Sequence, residues 1–417
     1  MSKPPLIAAL LTSSLALGAA GAGEVLIRGA RVHTAGSPGT LENADVLVRD
    51  NRIAAVGNGL AAPSGAAVVE ARGRPLTPGL FGGLSQLGLE EVELEAATVD
   101  ADLAFTQPLW MHHWRPEFDV TRAFNARSPV IPVTRVEGIT WTVLAPTTDK
   151  TLIAGQGAAT ALDGRFDAVL GGRTLFVNWG SAALESSGGS RAAQFMLFDQ
   201  AIREVRDPAS AGEGALLLPE GRAALKGYLA GGRVVFRVHR ASDIRGVIDY
   251  ARRNGMKPVI SGGNEAWLVA KELAAAGVPV ILDSLENLPE DFDQLGARLD
   301  NAAMLNQAGV KIAFSYDESH QARKNRQLAG NAATHGLSWE AALAGLTSVP
   351  AQIFGLADRG TIEKGKIADL VLWSGDPLEV TTVADSVWIG GQPIEMRSRQ
   401  TELRDRYLEI LRSKTAR

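Results

Sequence analysis

The sequence predicts an α/β protein in which a parallel sheet is joined to a small β-sandwich built from both chain ends. Two observations lead to this prediction. Between Arg233 and Thr334, short apolar runs alternate with amphipathic stretches four times in succession, as parallel strands joined by helices do. Short segments of alternating polarity, bounded by glycine, asparagine and proline, lie before and after the α/β region. Such flanking blocks favour one sandwich to which both ends contribute.

Length and composition limit the function classes. The chain has 417 residues, enough for one large and one small domain. Its net charge of −4 is small and unclustered, so nucleic acid is not an expected partner. The chain contains no cysteine, which excludes disulfides and thiol chemistry.

The first residues have the pattern of an export signal. Lys3 precedes an apolar run from Leu6 to Leu17, and the small residues Ala20–Ala22 follow. The run is short for a membrane span, which needs about 20 apolar residues, so cleavage is favoured over a retained anchor. Residues 1–22 are therefore predicted to be a signal peptide removed before Gly23. The expected location is periplasmic or secreted.

The sandwich is predicted from segments at the two ends. Near the N-terminus these are VLIRGARVHT, DVLVRDNRIAAVG and AAVVEARG, and near the C-terminus they are IADLVLWSGDP and DSVWIGGQPI. Each alternates apolar and polar residues, as half-buried strands do. The predicted sandwich comprises residues 23–75 and 356–400, and residues 401–417 are predicted to form a charged amphipathic helix.

The second half of the α/β region contains four strand–helix units. RVVFRVHR is the first predicted strand, followed by a helix that Ser242 and Asp243 cap and Gly255 ends. The next three strands are KPVIS, VPVILDS and VKIAFSYD. Their helices are predicted at Glu265–Ala276, Phe292–Ala308 and Ala322–Thr334. In such a sheet, functional residues are expected at the C-terminal ends of the strands.

The first half is less regular. A helix is predicted from Ser128 to Glu137, followed by the strand ITWTVLAP, a further strand at TLFVN and a helix at Arg191–Val205. Before them lies a long segment, Gly88–Asn125, which contains His112 and His113. This segment is interpreted as a folded surface insertion, with a ligand cluster as the alternative.

Two motifs resemble those of a known family. Leu76–Leu89 reads LTPGLFGGLSQLGL and resembles the first barrel strand of the amidohydrolase superfamily, whose signature is P-G-L-[I/F]-D-x-H-x-H-L. Gly360–Trp373 reads GTIEKGKIADLVLW and matches the family pattern G-x-I-x-x-G-K-x-A-D-L-V-x-W. The resemblance implies a (β/α)8 TIM barrel of amidohydrolase type over residues 76–355, with the four units above as strands five to eight. It also implies the composite β-sandwich.

Shorter matches resemble the imidazolonepropionase-like branch. IAGQG resembles its G-G-Q-G loop, and VHRASDIR resembles its strand-five motif H-A-H-R-A-x-D-I. GGNEAWLVAKELAAAGVPV resembles its H-G-x-E-A segment, and SYDESHQAR resembles its strand-eight D-S-H-x-A-R. The resemblance implies hydrolysis of C–N bonds, for which the family normally uses zinc or another divalent metal.

The family's metal ligands are largely replaced in this chain. The first-strand histidines, which strand alternation would aim at one point, correspond to Leu84 and Gln86. The strand-five ligand corresponds to Arg237, and the strand-six histidine to Gly262. Of the expected groups, the resemblance leaves in place the strand-eight aspartate, a metal ligand and general base in the family, as Asp317.

These replacements suggest that a side-chain cation has taken the place of the metal. An arginine stays protonated, so Arg237 in the pocket would repel a divalent cation and pair with Asp317. The alternative is that Arg237 supports the barrel wall. His239 faces the same way as Arg237 and could form an acid–base pair with Asp317. The predicted catalytic residues are Asp317 and His239, and the predicted substrate-binding residues are Arg237, Gln156, Gln86, His320 and Glu265.

Three function classes remain open. The first is an exported hydrolase of C–N bonds in small amides, cyclic amides or dipeptides, with no metal ligand assigned and no cofactor expected. The second is a non-catalytic protein that binds a small anion through Arg237. The third is an inactive partner of an active homologue. The expected partners are a small-molecule ligand or substrate, and a second subunit of the same or a homologous chain; no membrane contact is expected after signal cleavage.

Overall fold

The computed structural model describes four stretches of the chain, residues 23–103, 114–148, 151–316 and 318–415. The predicted signal peptide at 1–22 lies outside the described residues, and so do His112, His113 and Asp317. The predictions made for them therefore stay predictions. None of the helices in these four stretches is long and apolar enough to cross a membrane.

The strands of the described residues are, in chain order, β1 (Val25–His33), β2 (Thr40–Arg49), β3 (Arg52–Gly57), β4 (Ala67–Glu70), β5 (Pro75–Pro78), β6 (Leu80–Ser85), β7 (Ile139–Leu144), β8 (Ile153–Ala161), β9 (Val169–Asn178), β10 (Arg233–Val238), β11 (Lys257–Gly262), β12 (Val280–Leu282), β13 (Ile312–Phe314), β14 (Leu370–Trp373), β15 (Ala384–Ile389) and β16 (Gln392–Pro393). The α-helices are α1 (Val130–Arg135), α2 (Arg191–Arg206), α3 (Pro219–Leu229), α4 (Ala241–Arg253), α5 (Ala270–Ala276), α6 (Asn301–Gln307), α7 (Lys324–Thr334), α8 (Trp339–Leu346), α9 (Ser348–Phe354) and α10 (Arg399–Thr415).

One sheet unites the two ends of the chain. Its strand order is β16-β15-β14-β5-β1-β2-β3, with β4 beside β1. Strand β14 runs antiparallel to both β5 and β15, and so joins the C-terminal strands to the N-terminal ones. Alternate residues of these strands, among them Ile27, Val46, Leu76 and Leu370, form a buried apolar core. The predicted composite β-sandwich domain is confirmed as a separate sheet.

The chain passes from this sheet to the barrel at Gly79. Strand β5 pairs within the sandwich sheet, so residues 76–78 belong there and not to the barrel range 76–355 predicted from the sequence. Gly79 then packs so closely on β7 that a Cβ at this position would lie 2.2 Å from the Thr140 hydroxyl oxygen. Any larger residue would clash with the Thr140 side chain.

The second sheet is the predicted barrel, with strand order β13-β12-β11-β10-β9-β8-β7-β6. Its edge strands approach each other where the Leu84 amide donates to the Ser315 hydroxyl at 2.9 Å, which nearly closes the barrel. Strand β8 runs antiparallel to β7 and to β9, so this barrel departs from the all-parallel (β/α)8 arrangement. The short connection from Leu144 to Ile153 explains this, because a parallel crossover needs roughly a dozen residues or more.

The second half of the barrel follows the predicted strand–helix order, with two corrections. Helix α4 begins at Ala241, before the predicted caps, and the Asp243 carboxylate accepts from Arg191 at 2.9 Å instead of capping the helix. The third predicted helix, from Phe292, is shorter and comprises only α6. Local polarity indicated a helix there, but a loop that is hydrogen-bonded to Ser181, Arg191 and Glu265 occupies the first part.

Strand alternation on β10 determines which side chains enter the barrel. Val235 packs in the interior cluster with Phe81 and Phe176, whereas Phe236 packs outward against the helices. Arg237, two residues after Val235, therefore points inward, and His239 follows at the end of the strand. The interior cluster fills the barrel below these two residues.

Candidate active site

A cavity of about 250 Å³ lies at the C-terminal ends of the barrel strands. Leu84 and Gln86 line it from β6 and the residues after it, Arg237 lines it from β10, and Gly262 lines it from the end of β11. These are the four positions that the resemblance aligns with the family's metal ligands. The structure brings them together because β6, β10 and β11 end at the same edge of the barrel.

Arg237 is held against the barrel wall on one side of the cavity. Its guanidinium donates to the Pro146 carbonyl oxygen at 2.5 Å and to Asn178 Oδ1 at 3.2 Å. Its Cζ also lies 5.6 Å from the centre of the Phe176 ring, within cation–π range. Arg237 thus lines the cavity and also supports the wall, so features of both sequence-based interpretations are present. Its predicted pairing with Asp317 lies outside the described residues.

His239 is oriented by a chain of hydrogen bonds. Its Nδ1 lies 2.7 Å from Asn264 Oδ1, and Asn264 Nδ2 donates to Glu286 Oε2 at 2.8 Å. The amide of Gln294 is farther from the same ring nitrogen, at 3.5 Å. Because the closer partner is a carbonyl oxygen, we assign the proton of the neutral ring to Nδ1. Nε2 then carries the lone pair.

The imidazole of His239 occupies the space left by Gly262. A Cβ on Gly262 would lie 2.5 Å from His239 Cε1 and 2.8 Å from Nε2. Gly262 also has a φ of +91°, which L side chains rarely adopt. A side chain at position 262 and the present placement of the His239 ring therefore exclude each other. Among the described residues, His239 is the histidine that lines this cavity.

Two carboxylates, Asp283 and Glu286, line the cavity and were missed in the sequence. Asp283 directly follows β12, and its Oδ1 accepts from the Leu285 amide at 2.8 Å. An aspartate at the C-terminal end of the VPVIL strand was a readable signal. With Arg237 as +1 and the two carboxylates as −1 each, the formal charge of the described lining residues is −1, leaving His239 neutral.

Gln156 and Glu265 were predicted to bind substrate, but the structure places both outside the cavity lining. Gln156 lies on the antiparallel strand β8, where its Oε1 accepts from the Tyr228 hydroxyl at 2.7 Å. Glu265 accepts from the amide of Ala241 at 3.0 Å and from that of Gly296 at 3.1 Å. It therefore caps the start of α4 and fixes a loop, which is a structural role.

His320 is also outside the cavity lining. Its Nε2 lies 3.5 Å from Glu90 Oε1, and its side chain is 38% exposed. Burial raises the pKa of the Glu90 carboxyl, and the nearby His320 partly offsets this shift. The pair lies between the segment after β6 and the segment after β13.

The donors at the family's ligand positions do not fit a conventional zinc centre. Leu84 has no lone pair, Gln86 offers a neutral amide whose Nε2 donates to the Ala145 carbonyl at 3.3 Å, and Arg237 is a cation. Within the four described stretches, no group of three or more His, Cys, Asp or Glu side chains could hold a metal ion. A guanidinium a few ångströms from a divalent cation would oppose its binding by several kcal/mol, on the order given by Coulomb's law at moderate dielectric.

Comparisons with known proteins agree with this fold. The sequence model of the amidohydrolase family matches residues 222–394. An amidohydrolase from Thermotoga maritima MSB8 is similar over 89% of this chain and 100% of its own, with 26% identity and a TM-score of 0.79. The chain has the amidohydrolase fold and resembles that family. The resemblance read from the sequence is thus confirmed, while assignment to the imidazolonepropionase-like branch stays a prediction.

Two further relatives of this amidohydrolase-type chain show how far the likeness extends. Amidohydrolase tasK of Hapsidospora irregularis is 45% identical over 90 residues, which make up 20% of this chain and 9% of that protein. The chain thus matches only a small part of that curated relative. A prolidase complexed with N-methylphosphonate-L-proline covers 90% of this chain with 100% of its own, at 16% identity and a TM-score of 0.53. That likeness concerns the fold alone.

Proposed function

We propose that this protein hydrolyses a C–N bond of a small amide, cyclic amide or dipeptide, with His239 as proton acceptor and without the family's divalent metal. The observation that carries the proposal is the placement of His239. Its ring lines the cavity and its Nδ1 is fixed by Asn264, which Glu286 fixes in turn. An oriented imidazole at the mouth of a barrel is suited to general-base chemistry.

The proposed reaction needs no group beyond water and the substrate. His239 Nε2 accepts a proton from a water molecule, and the resulting hydroxide attacks the carbonyl carbon. The C–N bond then breaks, and the imidazolium returns its proton to the leaving amine. General acid–base catalysis of this kind contributes roughly 10²- to 10⁴-fold to a rate.

The charges around the cavity suggest what the substrate carries. The Arg237 guanidinium is placed to stabilise negative charge that develops on the carbonyl oxygen, or to bind a substrate carboxylate. Asp283 and Glu286 favour a positively charged group such as an ammonium. A cavity of about 250 Å³ is below the common range of small-molecule sites, roughly 300–1,000 Å³. A small zwitterion, such as a dipeptide, fits these three properties.

Amine release from a panel of dipeptides and cyclic amides tests the proposal, with the protein assayed before and after treatment with a chelator. We expect turnover that the chelator does not reduce. Turnover that disappears with chelator and returns with zinc would overturn the metal-independent mechanism. It would also indicate that Asp317, or His112 and His113, supply ligands.

Variants at two histidines make the test specific. His239→Gln should reduce turnover at least 100-fold, the lower end of the general-base contribution. His335→Gln is the matched control, because His335 is a half-buried histidine at the end of α7 whose Nδ1 contacts the Asn331 carbonyl at 2.8 Å, outside the cavity lining. Equal turnover in the two variants would remove His239 from the mechanism.

A second candidate is a non-catalytic binding protein for the same class of small zwitterion. The replacement of three family ligands by Leu84, Arg237 and Gly262 favours it. Binding of a simple carboxylate anion, as first expected from Arg237, is opposed by the two carboxylates in the same cavity. A melting temperature that rises with dipeptides, in the absence of any turnover, would select this candidate.

Export and pairing complete the proposal. We propose that the chain is cleaved after Ala22 and acts in the periplasm or outside the cell, either as a homo-oligomer or beside an active homologue. The apolar run from Leu6 to Leu17 supports export. The mass of the mature protein recovered from the secreted or periplasmic fraction tests the cleavage, and its mass in solution tests the pairing.

A further inference from the structure

A second cavity, of about 540 Å³, lies at the opposite end of the barrel from the candidate active site. It is located where β10, β11, β12 and β13 begin. Arg233 is the first residue of β10, Lys257 is the first residue of β11, and Lys311 directly precedes β13. Parallel strands start at the same edge, so the basic residues at their starts converge there. We call this cavity the basal cavity.

The basal cavity is lined by positive charge without acidic residues. Arg233, Arg252, Lys257 and Lys311 line it, and no aspartate or glutamate of the described residues does. The ion pairs formed among the described residues do not include Arg233, Lys257 or Lys311. Arg252 has one exposed pair, 3.8 Å from Asp249. Like charges held around one concavity repel each other, and a bound anion relieves that repulsion.

Apolar side chains form the floor of the basal cavity. Ile248, Val259, Val278 and Ile353 line it, and each of them is less than a tenth exposed. Arg233 lies against this floor, with its Cζ 5.5 Å from the centre of the Phe354 ring. Burial alone lowers the pKa of the Arg233 guanidinium, in line with the lack of a carboxylate partner. The cavity thus combines a cationic rim with an apolar base.

We infer that the basal cavity binds a small amphipathic anion, a phosphate group joined to an apolar body. The rim supplies charge-assisted hydrogen bonds to the phosphate oxygens, and the floor takes up the apolar part. A volume of about 540 Å³ lies within the roughly 300–1,000 Å³ of common small-molecule sites.

Calorimetric titration with phenyl phosphate tests the inference, with inorganic phosphate and phenol as probes of each half of the ligand. We expect phenyl phosphate to bind at least ten times more tightly than inorganic phosphate, phenol not to bind, and added salt to weaken the binding. Equal affinity for phenyl phosphate and inorganic phosphate would contradict a role for the apolar floor.

Two matched double variants locate the binding. Lys257→Gln with Lys311→Gln should weaken phenyl phosphate binding at least tenfold. Lys226→Gln with Lys271→Gln removes the same charge from exposed positions on α3 and α5, outside the basal cavity, and should leave the affinity unchanged. The melting temperatures of both variants establish that they are folded. Equal losses in the two variants would reduce the effect to general surface charge and overturn the inference.

Two further outcomes separate the basal cavity from other sources of binding. Arg237→Gln should leave phenyl phosphate affinity unchanged, and a loss of binding in that variant would assign the ligand to the candidate active site instead. Sedimentation with phosphatidylglycerol vesicles should not retain the protein. Retention that the Lys257 and Lys311 changes abolish, without binding of phenyl phosphate, would assign the cavity to a lipid surface and overturn the small-molecule ligand.

Discussion

The sandwich and the mouth of the barrel differ in how closely the sequence matches the family pattern. In the sandwich, the stretch from Gly360 to Trp373 matches the family at each fixed position. At the mouth, the resemblance read from the sequence aligns Leu84, Arg237 and Gly262 with the family's metal ligands, so a replacement is predicted there. If the predicted replacement is correct, the framework of this fold and its metal chemistry depend on separate sets of residues.

Buried polar contacts explain why residues of the Gly360–Trp373 pattern cannot be replaced without loss of stability. Asp369 accepts from the Arg359 guanidinium and from the Gly390 amide, and both members of the ion pair are at least nine-tenths buried. Trp373 Nε1 donates to the Thr77 hydroxyl oxygen at 2.9 Å and so links β14 to β5. Replacing one partner leaves another buried polar group unsatisfied. At the mouth, the Arg237 guanidinium donates to the Pro146 carbonyl oxygen and to Asn178 Oδ1.

The largest expected effect is on the sandwich side. Asp369→Ala leaves the Arg359 guanidinium buried without its partner, which should lower the free energy of unfolding by about 3–5 kcal/mol. Urea denaturation followed by circular dichroism measures this. Asp358→Ala is the matched control, because Asp358 is 3.7 Å from Arg52 in a pair that is half exposed on both sides. That change should cost less than about 1 kcal/mol, and equal costs would refute the contrast.

The next largest expected effect concerns the mouth of the barrel, where Gly262 contacts the His239 ring. Gly262→Ala introduces a Cβ 2.5 Å from the His239 ring at a residue with φ +91°, so it should cost roughly 1–3 kcal/mol. Removing the ring should relieve the steric part. The double variant Gly262→Ala, His239→Ala should therefore be more stable than the sum of the single changes predicts, by about 0.5 kcal/mol or more. Strict additivity in thermal unfolding would show that the ring and Gly262 are not coupled.

A smaller effect depends on pH and again concerns the sandwich. His33 Nδ1 contacts the Thr40 hydroxyl at 2.9 Å, and its ring centre lies 4.5 Å from that of Trp339. Burial, assisted by Arg31, lowers the pKa of His33 below 6.5. The unfolded chain therefore binds the proton at a higher pH than the folded one. Stability is fully present above about pH 6.5 and falls as the pH drops towards the folded-state pKa.

His33→Gln should flatten that dependence. We expect the melting temperature of this variant to vary less than that of the wild type between about pH 7 and pH 5, the range below the ordinary histidine pKa. His335→Gln, at the half-buried end of α7, should keep the wild-type slope. A wild-type slope in His33→Gln would assign the pH dependence to other groups.

The smallest expected effect is that of zinc on the intact protein. Because Leu84, Gln86 and Arg237 do not form a donor set for this ion, an excess of zinc should leave the melting temperature within error. Elemental analysis of protein purified without chelator should find no stoichiometric metal. A bound metal would contradict the hypothesis that the Arg237 side chain takes the place of the divalent metal, and would favour the family's metal-dependent hydrolysis.

The sequence predicted the structure correctly where an element depends on neighbouring residues, or where a stretch can be aligned with a family motif. Strands β10 to β13 were predictable because each apolar run is followed by an amphipathic helical stretch, which marks a strand–helix unit within a short segment of sequence. The alignment with the family motifs also predicted that four residues would lie close together in one cavity, namely Leu84, Gln86, Arg237 and Gly262. Asp283 was not predicted, although its place at the C-terminal end of β12 is where a barrel of this kind carries functional residues.

Other features depend on contacts between distant segments. The reversed direction of β8 follows from a connection too short for a helix, and polarity alone does not encode direction. Glu265 lies in a segment that resembles a family motif, yet it caps α4 and fixes Gly296. The His239 ring occupies the space beside Gly262. This placement depends on the φ angle of Gly262 and on the hydrogen bond between His239 and Asn264, and neither can be read from a linear sequence pattern.

The joining of both chain ends in one sheet has a consequence for the order of events during synthesis. Strand β5 ends at Pro78, but its neighbour β14 begins only at Leu370. During synthesis, the edge of β5 that pairs with β14 in the folded protein has no partner until the residues of the barrel have been made. Closing so long a loop makes sandwich completion a late step. A chain that stops before Leu370 keeps the open edge, and strand-to-strand association is the expected fate of such fragments.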